Sequence, residues 1–229
     1  MTKKGFRPSG LTQKSFENMI TGAGALYFGI DYQAVTPATT AQEFAIILQQ
    51  AAADGKALGA TTGGITFTAT PKVRQIEVDD LYAPIAGSTV MDGWESVTLS
   101  TTIKELTRQN IERIMTTAHT DPKTGAVKFG SVLTPQHFEH DITWVTGRTD
   151  GGLLAIPLRG ALNMAGITIT STNGGEGTVS VEFAGHLKDL EEIQAGNAPF
   201  DMFFFDADGA NVTGLASAFA DIGKKAGRK

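Results

Sequence analysis

Cysteine is absent from the 229-residue chain, which removes disulfides, thiolate metal sites and thiol nucleophiles. No run of 18 apolar residues occurs, so no stretch is of the length a membrane-spanning helix needs. The polar, basic first residues are not followed by the apolar core of a secretory signal. A soluble protein that stays where it is made is expected. Charged residues are scarce too, at 19% of positions against about 25% in an ordinary soluble domain. Aromatic residues make up 8%, and the large polar ones, Trp94, Trp144, Tyr27, Tyr32 and Tyr82, are scattered. A carbohydrate-recognising surface would want them clustered.

Catalytic patterns are equally sparse. There is no G-x-S-x-G elbow and no serine with a nearby histidine in a recognisable setting. The pairs Gly63-Gly64, Gly151-Gly152 and Gly174-Gly175 lack the spacing and the strand-to-helix context of a phosphate loop, and read as turns. Adjacent carboxylates such as Asp79-Asp80 and Glu191-Glu192 diverge or are solvated rather than forming an acid/base couple. His137 and His140 stand at i and i+3 beside Pro135, whereas helical zinc sites place histidines at i and i+4. That cluster reads as a turn entering a strand. The run 206–211 places oxygens as a calcium loop does, but its glycine is misplaced and position 217 is serine where such a loop ends in glutamate. The chain reads as a non-enzyme that needs no metal or cofactor.

What is abundant is turn and strand chemistry. The chain holds 27 Gly, 8 Pro and 29 Thr, a composition that favours pleated surfaces and tight turns. A mainly β fold in a single domain over 1–229 is expected, since all-β sandwiches reach roughly 200–250 residues as one unit. The formal charge of −5 conceals a division. Residues 1–14 carry four cations, Lys3, Lys4, Arg7 and Lys14, and no acid; residues 222–229 carry Lys224, Lys225, Arg228 and Lys229, again with no acid. The body between them, 15–221, holds 11 Lys and Arg against 24 Asp and Glu, a net charge of −13. Such a body repels nucleic acid.

Along the chain, residues 1–20 lack an apolar period and read as an arm, as do 206–229. The apolar run inside 24–32 predicts a buried strand. Thr40 stands three residues before Glu43, the spacing of a capping box, and Phe44, Ile47, Leu48 and Ala51 follow at i, i+3, i+4 and i+7. A helix over 41–53 is expected. Ile65, Phe67 and Ala69 alternate with threonines, and Val97, Leu99 and Ile103 with threonines and serines, so strands over 65–70 and 94–104 have one buried and one hydroxyl-rich face. The stretch 71–93 between them exceeds the ~12–15 residues of an ordinary connection, and predicts a long projecting hairpin or loop. Thr107 caps a second helix carrying Ile111, Ile114, Met115 and Ala118. Further strands are expected over 142–146, 153–158, 161–170, 178–185 and 199–205, with hairpin turns at 150–152 and 173–175.

Several stretches together resemble the tail tube, or major tail, proteins of long-tailed bacteriophages: LGATTGGITFTATP at 58–71, RQIEVD at 74–79, VTLSTTIKELT at 97–107, LAI at 154–156, LN at 162–163, GTVSVEFAGH at 177–186 and PF at 199–200. The likeness extends over about 24–205, with 33–57 standing out as an inserted helix. It implies a barrel-like β-sandwich with a flanking helix from Thr107, assembling into hexameric rings that stack into a hollow virion tube, put together in the host cytoplasm. Self-association, a tape measure protein within the tube, and terminator and tip proteins at its ends are the implied partners; DNA passes through without specific binding. On this reading Lys72, Arg74, Asp79, Asp80 and Tyr82 belong to the ring-stacking loop, and Glu77, Glu95 and Glu182 are lumen candidates, alongside Asp79 and Asp80. Lys3, Lys4, Arg7, Lys224, Lys225 and Arg228 are candidates for arms reaching neighbouring subunits. The alternative is a β-sandwich binding module of a virion that recognises carbohydrate or a cell surface.

Overall fold

A computed structural model describes residues 13–16, 19–77, 79, 83, 85–171 and 173–207. Its strands are β1 (Ile20–Phe28), β2 (Thr61–Gln75), β3 (Thr89–Ile103), β4 (Ala118–Thr120), β5 (Val127–Phe129), β6 (Ile142–Arg148), β7 (Leu153–Leu158), β8 (Leu162–Asn163), β9 (Thr168–Thr170), β10 (Thr178–Ala184) and β11 (Phe203–Phe205). Helices are α1 (Ala41–Ala53), α2 (Arg108–Ile114) and the short α3 (Leu190–Gln194). The fold is mainly β, as its threonine and glycine content predicts. Sheet I has the order β1-β6-β7-β11; sheet II has the order β2-β3-β10-β8, with β9 also on β10. The small hairpin β4-β5 stands apart from both.

Alternation along the strands builds three layers. In sheet I, Leu26, Phe28, Ile142 and Leu158 face sheet II, where they meet Val97, Leu99, Ile103, Val179, Val181 and Phe183. Tyr27, Val145, Leu153, Ala155 and Phe205 face the other way, onto Phe44, Ala45, Leu48 and Ala51 of α1. Sheet I is thus covered on both faces, which is why β7 is a continuous apolar run with every residue buried rather than an alternating one. The capping box forms: the Glu43 N–H donates to Thr40 Oγ1 at 3.3 Å while Thr40 N–H donates to Glu43 Oε2 at 2.9 Å. The helix over 41–53 is found with those bounds, and it forms one wall of a second core.

Other boundaries move for identifiable reasons. The strand expected from Gly24 begins at Ile20, because Gly22 and Gly24 take positive φ in a bulge between the pairs Thr21↔Gly147 and Ala25↔Val145. A Cβ on Gly24 would stand 2.3 Å from the Val145 carbonyl oxygen. The N-terminal arm is correspondingly shorter than 1–20: Met19 exchanges hydrogen bonds with Thr149. The hairpin reading of 71–93 holds and the loop reading does not, since β2 and β3 pair from Thr61↔Ile103 out to Gln75↔Thr89. Pro71 and Gly93, read as punctuation, sit at bulges of that ladder, and β2 is an edge strand, where proline is tolerated. The connection proper is 76–88.

The second helix stops at Ile114, short of Ala118, which starts β4. The strand expected over 161–170 divides into β8 and β9 around a turn: Asn163 Nδ2 donates to the Gly166 carbonyl at 2.7 Å and Ala165 N–H donates to Asn163 Oδ1 at 3.1 Å. Over 199–205 only Phe203–Phe205 joins β7 in a ladder, while Phe200 makes a single bridge to Leu158 and packs on Phe67 and Trp94. Asp206 is anchored rather than part of an arm. Its carbonyl accepts from Ala41 N–H at 3.1 Å and its carboxylate meets Arg148 at 3.3 Å.

Candidate functional site

The face of sheet II turned away from the core is the most distinctive surface of the molecule. Residues opposite one another in an antiparallel ladder share a face, and the register therefore assembles rows of hydroxyls. Thr62, Thr102, Ser180 and Thr168 make one row; Thr66, Ser100 and Glu182 make the next; Thr68 and Thr98, then Thr70 and Ser96, continue towards the hairpin. The first two rows line a shallow, open depression with the glycines at 63 and 64. Small hydroxyls on neighbouring strands give a mixed, wettable surface. Glu182 is the acidic side chain of these rows and is exposed.

At the sheet edge, β2 carries no charged residue from Thr61 to Thr70. Gly63 and Gly64 form a two-residue bulge between the pairs Thr62↔Thr102 and Ile65↔Thr101, both at positive φ, a conformation that L side chains adopt only with strain. Thr101 Oγ1 donates to the Gly64 carbonyl at 3.0 Å and fixes the bulge. Just past the end of β3, Lys104 Nζ bonds the Glu176 carboxylate and holds it below the usual carboxylate range.

The sequence-derived candidates are dispersed along this sheet. Glu182 lies on the hydroxyl face, Glu95 is exposed at the bulge between the pairs made by Trp94 and Ser96, and Glu77 follows the end of β2 near the hairpin tip. The three do not form one cluster. Lys72 is exposed on the hairpin, Arg74 pairs with Asp92 at 2.9 Å, and Asp79 is exposed in the connection. Asp80 and Tyr82 lie outside the described residues, as do Lys3, Lys4, Arg7, Lys224, Lys225 and Arg228. The hairpin also carries an apolar cross-strand pair that the sequence reading missed: Val73 and Met91 are opposite one another and 58% and 49% exposed. Alternation would have revealed them had Pro71 and Gly93 not suggested a loop.

Elsewhere the candidate chemistry is used for structure. His137 Nδ1 accepts from Thr134 N–H at 2.8 Å, closing the short turn Pro135–Phe138, and Asp141 Oδ1 accepts from Gly160 N–H at 3.0 Å. Among the described residues no three histidines or carboxylates are arranged to hold a metal ion, and no helix is long and apolar enough to cross a membrane. Comparison of the sequence with models of known families and with curated proteins gives no match.

Proposed function

We propose that the protein is the tail tube subunit of a long-tailed bacteriophage, assembling into hexameric rings that stack into a DNA-conducting tube. The observation that carries this reading is the uncharged edge of β2 on a sheet whose outer face is a carpet of hydroxyls. A long edge strand is a template for pairing with another chain, and monomeric proteins blunt it with lysine, proline or brevity. Here the first ten residues of β2 carry no such charge, and the opposite border of the sheet is made of the short strands β8 and β9. Joining the two borders head to tail between copies closes a ring and continues the sheet as a barrel.

In that barrel the hydroxyl rows are the lumen wall. Within the rows phosphate finds no cation to pair with, Lys104 at their end is paired with Glu176, and the acidic body adds a repelling potential. The β2-β3 hairpin, projecting beyond the sandwich with Val73 and Met91 exposed, is the element that contacts the next ring. The basic ends at 1–14 and 222–229 pair with acidic body surface on adjacent copies, an attraction that weakens with salt.

The test is negative-stain microscopy of the purified full chain after concentration at low salt. Rings or tubes are expected. Persistent monomers over a range of protein concentration, salt and pH overturn the proposal.

A further inference from the structure

Sheet II ends in two unequal borders. At one, β2 overlies an open apolar wedge of about 720 Å³ on the side that faces sheet I, with Ile65, Phe67, Trp144, Ile156, Met202 and Phe204 in its lining. Phe204 is 63% and Met202 46% exposed. Ile65 and Phe67 face inwards, since they stand opposite Thr101 and Leu99 of β3, both of which are buried. At the other border β9 pairs with β10 through Thr168↔Ser180, Ile169↔Val179 and Thr170↔Thr178. Val179 belongs to the core, so Ile169 opposite it is on the same inner side. It is nonetheless 57% exposed, because the sheet ends there.

We infer that a second copy of this chain closes the wedge, its β9 extending β2 and its Ile169 entering beside Phe67. The inference rests on the head-to-tail reading above and names the residues that meet. Strand direction agrees with it. Since β2, β3, β10 and β9 are successively antiparallel, a neighbour brought round by rotation about an axis along the strands presents β9 antiparallel to β2. The faces agree as well. In a continued sheet the inner side of β9 joins the inner side of β2, which puts Ile169 towards the wedge and lets Thr168 and Thr170 prolong the hydroxyl rows that contain Thr62 and Thr66. A slip of one residue would set threonine against Phe67 and isoleucine on the hydroxyl face, so the pattern selects one parity.

Charge and size complete the argument. Neither 61–70 nor 167–171 carries a charged residue, so pairing these edges buries no ion. Backbone pairing over β9 alone is too small, at roughly 10 Å of strand against the ~800 Å² per partner of a stable interface. Apolar burial has to supply the rest. Beyond Ile169, α2 reaches β8 where Asn163 Nδ2 meets Met115 Sδ at 3.7 Å, and the β4-β5 hairpin that follows α2 leaves Phe129 and Val132 56% and 69% exposed.

The cysteine-free chain allows a direct test. Full-length Met202→Cys and Ile169→Cys proteins are mixed at low salt and at the concentration used for assembly, then treated with a short bis-maleimide. The mixture is expected to give at least tenfold more covalent dimer than either protein alone, and a chain carrying both cysteines should give a ladder of oligomers. Micrographs of the same samples separate the two readings. Rings without the crosslink overturn this contact and leave the tube reading standing; the crosslink without rings or tubes supports the contact and overturns the tube. Absence of any association overturns both, and a crosslink confined within single chains assigns the wedge to the chain itself and overturns the inference. As a measurement free of crosslinking, Ile169→Asp should raise the concentration needed for assembly at least tenfold while leaving the melting temperature of the monomer unchanged, and Ile169→Val should assemble as the parent does. Assembly of Ile169→Asp at the parent's concentration contradicts the inference.

Discussion

Tyr27 concentrates the tension in this core into one atom. Its ring is fully buried beneath α1, and its hydroxyl finds no hydrogen-bond partner among the described residues. Burial pushes its pKa up. Tyr32 is raised as well, chiefly by burial and against the bond its hydroxyl donates to Thr143 Oγ1 at 3.1 Å. Both phenols are thus held neutral in the folded protein, whereas in the unfolded chain they ionise near pH ~10. Above that pH the unfolded state binds fewer protons than the native one, so stability falls as pH rises through and beyond the unfolded value. Tyr27→Phe removes an unsatisfied group without changing the ring, and should raise stability by about 1 kcal/mol and flatten the alkaline loss. Urea midpoints at neutral pH and above pH 10 check it, and a clear loss of stability at neutral pH would mean that the hydroxyl is paired. The sequence showed Tyr27 only as part of an apolar run. That its tip is dry follows from α1 lying over it, which no local pattern reveals.

At the scale of elements, legibility tracked how local the determining contacts are. The bounds of α1 were readable because its capping box and its 3.6-residue period are contained in a dozen residues. Its importance was not, because that lies in Phe44 stacking on Phe205 at 4.1 Å, a partner more than 150 positions away in the chain. Here Phe44→Ala should cost about 3–5 kcal/mol and shift one cooperative transition followed by circular dichroism at both helix and sheet wavelengths. Two separate transitions, with the sheet signal unmoved, would show that α1 is not part of the cooperative core. Strands were readable wherever one face is wet: the alternation in β2, β3 and β10 places the hydroxyl rows correctly, including Glu182. They were misread where bulges intervene. Proline and glycine inside 71–93 look like the ends of strands, yet an edge strand with bulges accommodates both, and the ladder continues to Gln75 and Thr89. The strands β8 and β9 failed in the opposite sense, as one apolar stretch broken by a turn centred on Asn163.

For the whole molecule, the scarcity of charge in the first half of β2 and the projection of the β2-β3 hairpin have separable consequences. The sandwich core uses Val97, Leu99 and Ile103 of β3 and, packed against them, Ile65, Phe67 and Ala69 of β2. Beyond Pro71 and Trp94 the exposure is nearly continuous, and the ion pair between Arg74 and Asp92 is of the exposed kind worth about 0–1 kcal/mol. The distal hairpin therefore adds little to the stability of the sandwich core, and its Val73 and Met91 are left uncovered by the described residues. Excising 72–93 and joining Pro71 to Trp94 through an Asn-Gly turn, which suits a two-residue hairpin, should leave the melting temperature within a few degrees of the parent's for a change of ~1 kcal/mol or less. On the proposed tube reading, the same protein should form no stacked tubes where the parent is expected to, while edge pairing through residues 61–70 would still allow single rings. Scanning calorimetry and micrographs of the shortened chain decide between the two roles. Loss of the cooperative transition would place the hairpin in the folding core, and tubes of normal length would remove it from the stacking contact.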